Sequence, residues 1–447
     1  MKAAALNGEI LSKDTVIAIV RDGSITESDA ALLPLYLKRT GDAESWIAGR
    51  AIDSQRVNSR LLKKALRLSA AGNVETALNV NAATITDNYW FRPAGSALSY
   101  DEIRYRFNHF DKLALRGDPD SFNLPYSRTP ELTNIGSFEK CWRLDGGRWW
   151  IVKRGTVLER FSELFICKLG QALGFPMAAY EAEDGAIKSP DFTGGASVNF
   201  EAAEGIVGDE EDYGYNLNAF ITLRGRAMRS GDSALPSEFT RSGDSALPGE
   251  FTRSGESALP SEFTRFDEPA LPFEMAIPGE LAEQYLQIIY MDALCFNMDR
   301  HTKNYGVLRD AESGEILRMA PNFDNNIALF ALGVPKDIGR ANDKLISLFL
   351  DLLKADCRAL SIVKNFPAPT EPMIEECLRQ IPIDIDECLR QTTGDTGKKT
   401  VTDFIMNGSG RIQNFIFGGS KPDCTNTKRV CNFAQNHVGR GDPDAPI

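Results

Sequence analysis

Apolar positions change their period several times along the chain, and those changes outline its organisation. From residue 1 to about 85 the pattern reads as helical and amphipathic. Ser28-Asp29 precede Ala30 to Leu37, and Val57 to Leu68 sets apolar residues at helical spacing with basic residues between them. From Asp87-Asn88-Tyr89-Trp90-Phe91 to about Tyr126 the chain is aromatic-rich and broken by Pro93, Gly95, Gly117 and Pro119, which reads as a packed connector without chemistry of its own. Period two then takes over: Lys140 to Leu144 and Arg148 to Lys153 flank Asp145-Gly146-Gly147, a β-hairpin signal. A helix is predicted from Val157 to Leu173, stopped by Gly174 with Pro176 beyond.

Further on, Pro278 opens a helix near Glu280 that continues to about Phe296, with Leu281, Tyr285, Ile288, Ile289 and Leu294 as its buried stripe. A polar run follows, and then a second hairpin pairs Tyr305 to Arg309 with Glu315 to Met319. From Asp343 to Phe417 the pattern is again largely helical, and Glu376 to Gln380 is echoed by Glu387 to Gln391. Between the two halves stands a tandem repeat of twelve residues, RSGDSALPSEFT and two near copies over 229 to 264, with a decayed fourth copy at 265. Its Pro, Gly and charge content leaves little to bury, which predicts an exposed, mostly disordered insertion. The resulting division is 1–128 amino-terminal helical and connector region, 129–200 small β-rich lobe, 201–417 large α-helical lobe with the insertion at about 229–275, and 418–447 loose tail. The fold class is α+β.

Composition narrows the partners. Hydrophobic residues are 43% and charged residues 25% of 447, ordinary for a globular chain. A net charge of -12 argues against nucleic acid as a direct partner, because phosphate backbones attract basic surfaces. The opening Met1 to Glu9 turns polar too soon for a signal peptide, and the most apolar run, Tyr285 to Phe296, is short and carries Asp292. No membrane and a cytoplasmic location are expected. The eight cysteines form no C-x-x-C pair and read as buried free thiols, with Cys424 and Cys431 lacking a Cys/His set to complete a metal site.

The chemistry concentrates in Asn297-Met298-Asp299-Arg300-His301-Thr302-Lys303-Asn304. A hairpin after this run should bring its outer ends together, so that Asn304 and Asp324 face one another. An amide oxygen and a carboxylate are hard ligands suited to Mg²⁺ on substrate phosphates. Asp299 stands five residues before Asn304, the spacing of the catalytic Asp and metal-binding Asn in the protein-kinase catalytic loop. Its expected role is to orient an acceptor hydroxyl and take its proton. Strand alternation places Trp149, Ile151 and Lys153 on one face, so Lys153 is a candidate for phosphate binding. Thr156-Val157-Leu158-Glu159 has the form of a capping box, which leaves Glu163 as the expected partner of Lys153. His301 is expected to pack beneath the loop and Asp292 to brace its backbone. Arg300 has three open roles, pairing with a phosphate, pairing with Asp324 or facing solvent.

These residues resemble the HipA-like serine/threonine kinase family over most of 130 to 365. Thr133-Asn134-Ile135-Gly136-Ser137-Phe138-Glu139-Lys140 is similar to the family's phosphate-binding loop, S/T-x-x-G-x-x-E/P-K. Asn297 to Asn304 is similar to its N-x-D-R-H-x-x-N, and Asp324 falls at its second metal ligand. The resemblance implies a two-lobed protein-kinase-like fold, with ATP and Mg²⁺ as cofactors. It implies nucleotide contacts from Thr133, Gly136, Ser137, Lys140 and Lys153, and a protein Ser/Thr acceptor. An antitoxin-like regulator and autophosphorylation at Thr133 are also family traits. This chain departs in carrying Thr for the usual Ser at 133, in residues 1 to 85, and in the repeat between Leu223 and Pro278. Phosphoinositide kinases share D-R-H-x-x-N, so a lipid or small-molecule kinase is one alternative, and a catalytically silent kinase-fold binding module is the other.

Overall fold

In the computed structural model, Gly8–Ser12 (β1), Thr15–Arg21 (β2) and Ser24–Ser28 (β3) form an antiparallel meander. Tyr89–Pro93 (β4) completes the sheet in the order β3-β2-β1-β4. The structure describes residues 6–54, 56, 58–123, 128–136, 138–230, 280–333, 343–393 and 397–418. The repeat beyond Ser230, the tail beyond Gly418, Cys424, Cys431 and Ser137 therefore lie outside the described residues.

The meander departs from the helical reading of the first thirty residues. Val16, Ile17, Ile19 and Val20 are β-branched, and the run between them is bounded by turns in which Lys13, Asp22 and Gly23 take positive φ. Such residues fit a pleated surface better than a helix. The helical reading holds further along, with Leu35–Thr40 (α1), Ala43–Gly49 (α2), Ser59–Ala65 (α3) and Asn73–Leu78 (α4). Leu37, Trp46, Ile47 and Ala77 share a core with Ile10, Val20 and Phe91 of the sheet. The connector contributes β4 and two short helices, Tyr100–Ile103 (α5) and Asp111–Arg116 (α6).

Lys140–Asp145 (β5) and Arg148–Arg154 (β6) form the first predicted hairpin. Asp145 pairs with Arg148, and the intervening Gly146 and Gly147 sit at φ 58° and 80°, as a primed two-residue turn requires. Val157–Ala172 (α7) begins at a reciprocal capping box in which Thr156 N donates to Glu159 (2.6 Å) and Glu159 N to Thr156 Oγ1 (3.2 Å). Glu181–Glu183 (β7) and Ala186–Pro190 (β8) extend the sheet to the order β5-β6-β8-β7.

Val198–Ala202 (β9) leaves that sheet and joins the second predicted hairpin, Gly306–Asp310 (β10) and Ile316–Met319 (β11), in the order β11-β10-β9. Around it lie Glu204–Val207 (α8), Tyr213–Ser230 (α9), Glu280–Cys295 (α10), Asp343–Ala355 (α11), Cys357–Val363 (α12), Glu371–Arg379 (α13), Ile385–Thr393 (α14) and Gly397–Phe417 (α15). α10 is buried on nearly every side, because Leu286, Tyr290 and Leu294 share one core with Phe165 of α7, Phe349 of α11 and Ile405 of α15. Among the described residues no helix is long and apolar enough to cross a membrane. Cys141, Cys167, Cys295 and Cys377 are buried free thiols, whereas Cys357 and Cys388 are free but only partly buried, a departure from the expected burial.

Hydrogen bonds to one buried ion pair tie the amino-terminal unit to the large lobe. Arg309 of β10, fully buried, pairs with Glu201 of β9 and donates to the carbonyls of Ala31 (2.7 Å) and Leu33 (3.2 Å). Tyr89 of β4 donates its hydroxyl to the same Glu201 (2.9 Å).

Two glycines give opposite expectations. A Cβ on Gly306 would stand 2.1 Å from the carbonyl oxygen of Glu201, so Gly306→Ala must push β9 from β10 and should destabilise by about 2 kcal/mol or more. Gly410, exposed in α15, has nothing within 4 Å of the same position. Gly410→Ala should stabilise by about 0.5–1 kcal/mol through helix propensity. Urea unfolding of both variants checks the signs.

Candidate active site

α10 ends where Phe296 turns left-handed (φ 56°), which releases Asn297 to Asn304 as a loop facing the small lobe. Arg300 organises this loop and corrects the sequence reading: it takes none of the three expected roles, being buried and paired with Asp292. Its Nε and Nη2 grip both oxygens of Asp292 on α10 at 2.9 Å each. Nη1 donates to the carbonyls of Asn304 (2.8 Å) and Phe323 (2.9 Å). Nη2 also reaches Oδ1 of Asn322 (2.9 Å) and Asn325 (2.8 Å). All five N–H groups of the guanidinium are thus used. The two outer ends of the β10–β11 hairpin are stitched together by one cation, so the expected convergence of Asn304 and Asp324 has a physical agent. Asp292 braces the loop as expected, since it also accepts from Asn297 Nδ2 (2.9 Å). Asn304 Nδ2 donates to the Asp299 carbonyl (2.8 Å), which leaves its amide oxygen as the group it offers.

Lys153 meets Glu163 and Asp324 together. Its Nζ lies 2.9 Å from Glu163 Oε1, 2.7 Å from Asp324 Oδ1 and 3.5 Å from the Tyr180 hydroxyl. The capping box occupies Glu159, and Glu163, fully buried, also accepts from the Asn325 backbone N–H (2.7 Å). Burial opposes the Lys153 charge, but Asp324 and Glu163 outweigh it and hold the ammonium well above its usual range. Burial likewise favours a neutral Asp324, yet Lys153 and Lys140 keep its carboxyl well below the usual carboxylate range. Asp324 itself takes a left-handed φ of 61°. Asp299 is half-buried, and burial together with the Asp324 charge raises its carboxyl above the usual value.

On the small-lobe side, Thr133, Asn134, Gly136 and Lys140 line the same cavity as Lys153, Asp299, Asn304 and Asp324. Its volume is about 570 Å³. Gly136 is required there, because at φ 107° a Cβ would fall 2.3 Å from Lys140 Nζ. Burial lowers the Lys140 ammonium to about 8, with Lys153 adding to the effect and Asp324 opposing it. Thr133 is buried, and its hydroxyl donates to the carbonyl of Ala83 (2.9 Å) with that of Pro130 at 3.2 Å. Ser137 falls outside the described residues.

His301 corrects one expectation. It does not pack beneath the loop: it is exposed, lines the cavity, and accepts from Lys303 N–H at Nδ1 (3.2 Å). Tyr180 and Asn325 are site residues that sequence reasoning missed, and nothing in their local sequence marks them.

Removing Arg300 leaves Asp292 charged and buried. Arg300→Met should therefore cost about 3–5 kcal/mol in urea unfolding, and adding Asp292→Leu should recover part of that loss.

No protein-family model matches the chain, and no curated protein matches its sequence. Among solved structures, HipA in the Shewanella oneidensis MR-1 complex of the toxin–antitoxin proteins HipA and HipB with operator DNA is similar over 92% of this chain and 98% of that one. The TM-score is 0.51 at 13% identity. The Helicobacter pylori proinflammatory kinase CtkA is similar over 66% of this chain and 95% of that one, with a TM-score of 0.39 at 14% identity. The expectation that nucleic acid is no direct partner finds no support in the HipA complex, which contains operator DNA. What the likeness to HipA establishes is the fold: this chain has an α+β, kinase-like architecture of the HipA kind.

Proposed function

We propose that the protein is an ATP-dependent phosphotransferase of HipA-like type, which transfers the γ-phosphate to a Ser or Thr hydroxyl of a protein, itself included. The observation that carries the reading is the convergence, on one cavity, of Lys153, Asp299, Asn304 and Asp324 with the loop from Thr133 to Lys140. Phosphoryl transfer needs little covalent chemistry from the protein and depends on positioning and charge. Lys153 and Lys140 supply cations for phosphate oxygens, and Glu163 fixes where the Lys153 ammonium sits. Trp142, Ile151, Ala178 and Phe323 give the cavity an apolar wall suited to a planar base. Asp299, which lines the cavity next to the Arg300 brace, orients the acceptor hydroxyl and takes its proton.

The residues present fit Mg²⁺. Asn304 offers an amide oxygen and Asp324 a carboxylate held in its charged form, both hard donors. When bound there, Mg²⁺ neutralises charge on the β- and γ-phosphate oxygens. Thr133 is not an available acceptor in this conformation, because its hydroxyl is committed to backbone carbonyls; self-phosphorylation there requires the loop to leave its seat. The HipA of the solved complex assembles with HipB and operator DNA. An antitoxin-like regulator, with DNA in the assembly, belongs to the same reading for this chain, in the cytoplasm.

Incubation with γ-labelled ATP, Mg²⁺ and a cell lysate tests the proposal. Label should enter protein Ser or Thr. Asp299→Ala should lower kcat by about 10²-fold or more while Mg-ATP still binds. Asp324→Ala should remove the Mg²⁺ dependence of nucleotide binding. A wild type that binds Mg-ATP yet labels neither itself nor any lysate protein defeats the protein-kinase reading.

A further inference from the structure

The loop that lines the phosphate end of the cavity does not stand on the small lobe alone. Glu131, in the turn just before it, has no side-chain exposure and receives four N–H groups. Oε1 accepts from the Trp142 backbone (2.7 Å) and from Asn108 Nδ2 (3.0 Å). Oε2 accepts from Arg56 Nη2 (3.1 Å) and Asn134 Nδ2 (3.4 Å). Arg56 has no side-chain exposure either; it donates through Nη2 to the Lys140 carbonyl and through Nε to Asn58 Oδ1 (3.0 Å). The Ile52 N–H donates to the Leu132 carbonyl (2.6 Å) beside them. Asn134 is the entry of the phosphate loop, and Lys140 and Trp142 are its exit. One carboxylate and one guanidinium therefore hold both ends, and Arg56, Asn58 and Asn108 come from the amino-terminal region and the connector.

We infer that the Arg56–Glu131 pair positions the phosphate-binding loop, so that the amino-terminal region is a working part of the nucleotide site, with Glu131 as its positioning residue. The inference rests on the phosphotransfer reading and deepens it. Geometry supports a role beyond packing. Two buried charges in a pair are no better for stability than apolar residues of the same volume. This pair instead spends its hydrogen bonds on the loop's two ends. Gly136 and Lys140, within the loop, are in contact with each other, so a shift of either end moves Lys140 Nζ relative to Lys153 and Asp324. A carboxylate is needed at 131 because all its neighbours are donors. An amide there would turn an NH₂ toward one of them and lose bonds at one end of the loop.

The test compares two nucleotide probes on the full chain. Wild type, Glu131→Gln and Asn108→Ala are titrated with Mg-ATP and, separately, with adenosine, and unfolding midpoints are recorded. Asn108 lies away from the cavity and is only partly buried, so its variant reports even where Glu131→Gln folds poorly. The expected result is a loss of Mg-ATP affinity of about tenfold or more for Glu131→Gln. A smaller loss in the same direction is expected for Asn108→Ala, with adenosine affinity unchanged in both. Wild-type Mg-ATP affinity in the variants, or a parallel fall for adenosine and ATP, overturns the inference while leaving phosphotransfer intact. A wild type that binds adenosine but not Mg-ATP defeats the phosphotransfer reading, and this inference with it.

Discussion

The guanidinium of Arg300 is the joint on which the candidate site depends. Three stretches of chain meet at it: the end of α10 through Asp292, the loop from Asn297 to Asn304 through the Asn304 carbonyl, and the segment after β11 through Asn322, Phe323 and Asn325. A charge taken this far out of water is tolerable only with an opposite charge and full use of its donors. Asp292 provides the first and the surrounding oxygens the second. The planar fork of arginine is needed for this, since a lysine has three donors and no fixed geometry. The arrangement constrains sequence heavily, because five different residues must present oxygen in the right places.

Above that joint the lobes are linked by charge. Lys153, on the small-lobe sheet, contacts Glu163 on α7 and Asp324 on the large-lobe side within one hydrogen-bonding radius. Each partner alters the others: the two carboxylates keep the ammonium charged, and the lysines keep Asp324 ionised despite burial. Lys140 receives less support, and burial lowers its ammonium to about 8. The cleft thus holds both signs of charge at close quarters, a balance suited to a polyanion carrying its own divalent cation.

The amino-terminal region touches both sides of this cleft. Through Tyr89 and the carbonyls of Ala31 and Leu33 it grips the sheet next to the loop from Asn297 to Asn304, and through Arg56 it grips Glu131 beside the loop from Thr133 to Lys140. Its meander and helices are therefore part of the frame, joined to the rest by the Arg56–Glu131 pair and by hydrogen bonds to Arg309 and Glu201 as well as by apolar contacts.

Local chemistry determined a good deal from sequence alone. The Gly146-Gly147 turn, the Thr156–Glu159 box, the preference for Glu163 over Glu159, and the loop from Asn297 to Asn304 each depend on residues close together in the chain, where turn type, capping and spacing leave few choices. The β1–β3 meander was legible too, in its β-branched run and its Asp22-Gly23 turn, but the helical period of the residues after it carried the reading too far forward. Other features belong to the tertiary structure because their partners are distant in sequence. Arg300 had three open roles, and none survived once Asp292, Asn322 and Asn325 were placed around it. The resemblance put Thr133 at a position family members can autophosphorylate, and only the fold set the Ala83 carbonyl against its hydroxyl. The pairing of Arg56 with Glu131 joins residues 75 positions apart, and no periodicity carries information over that distance. What the sequence determined was the chemistry each segment can perform; which buried charge meets which was decided only by the packing that excludes water from both.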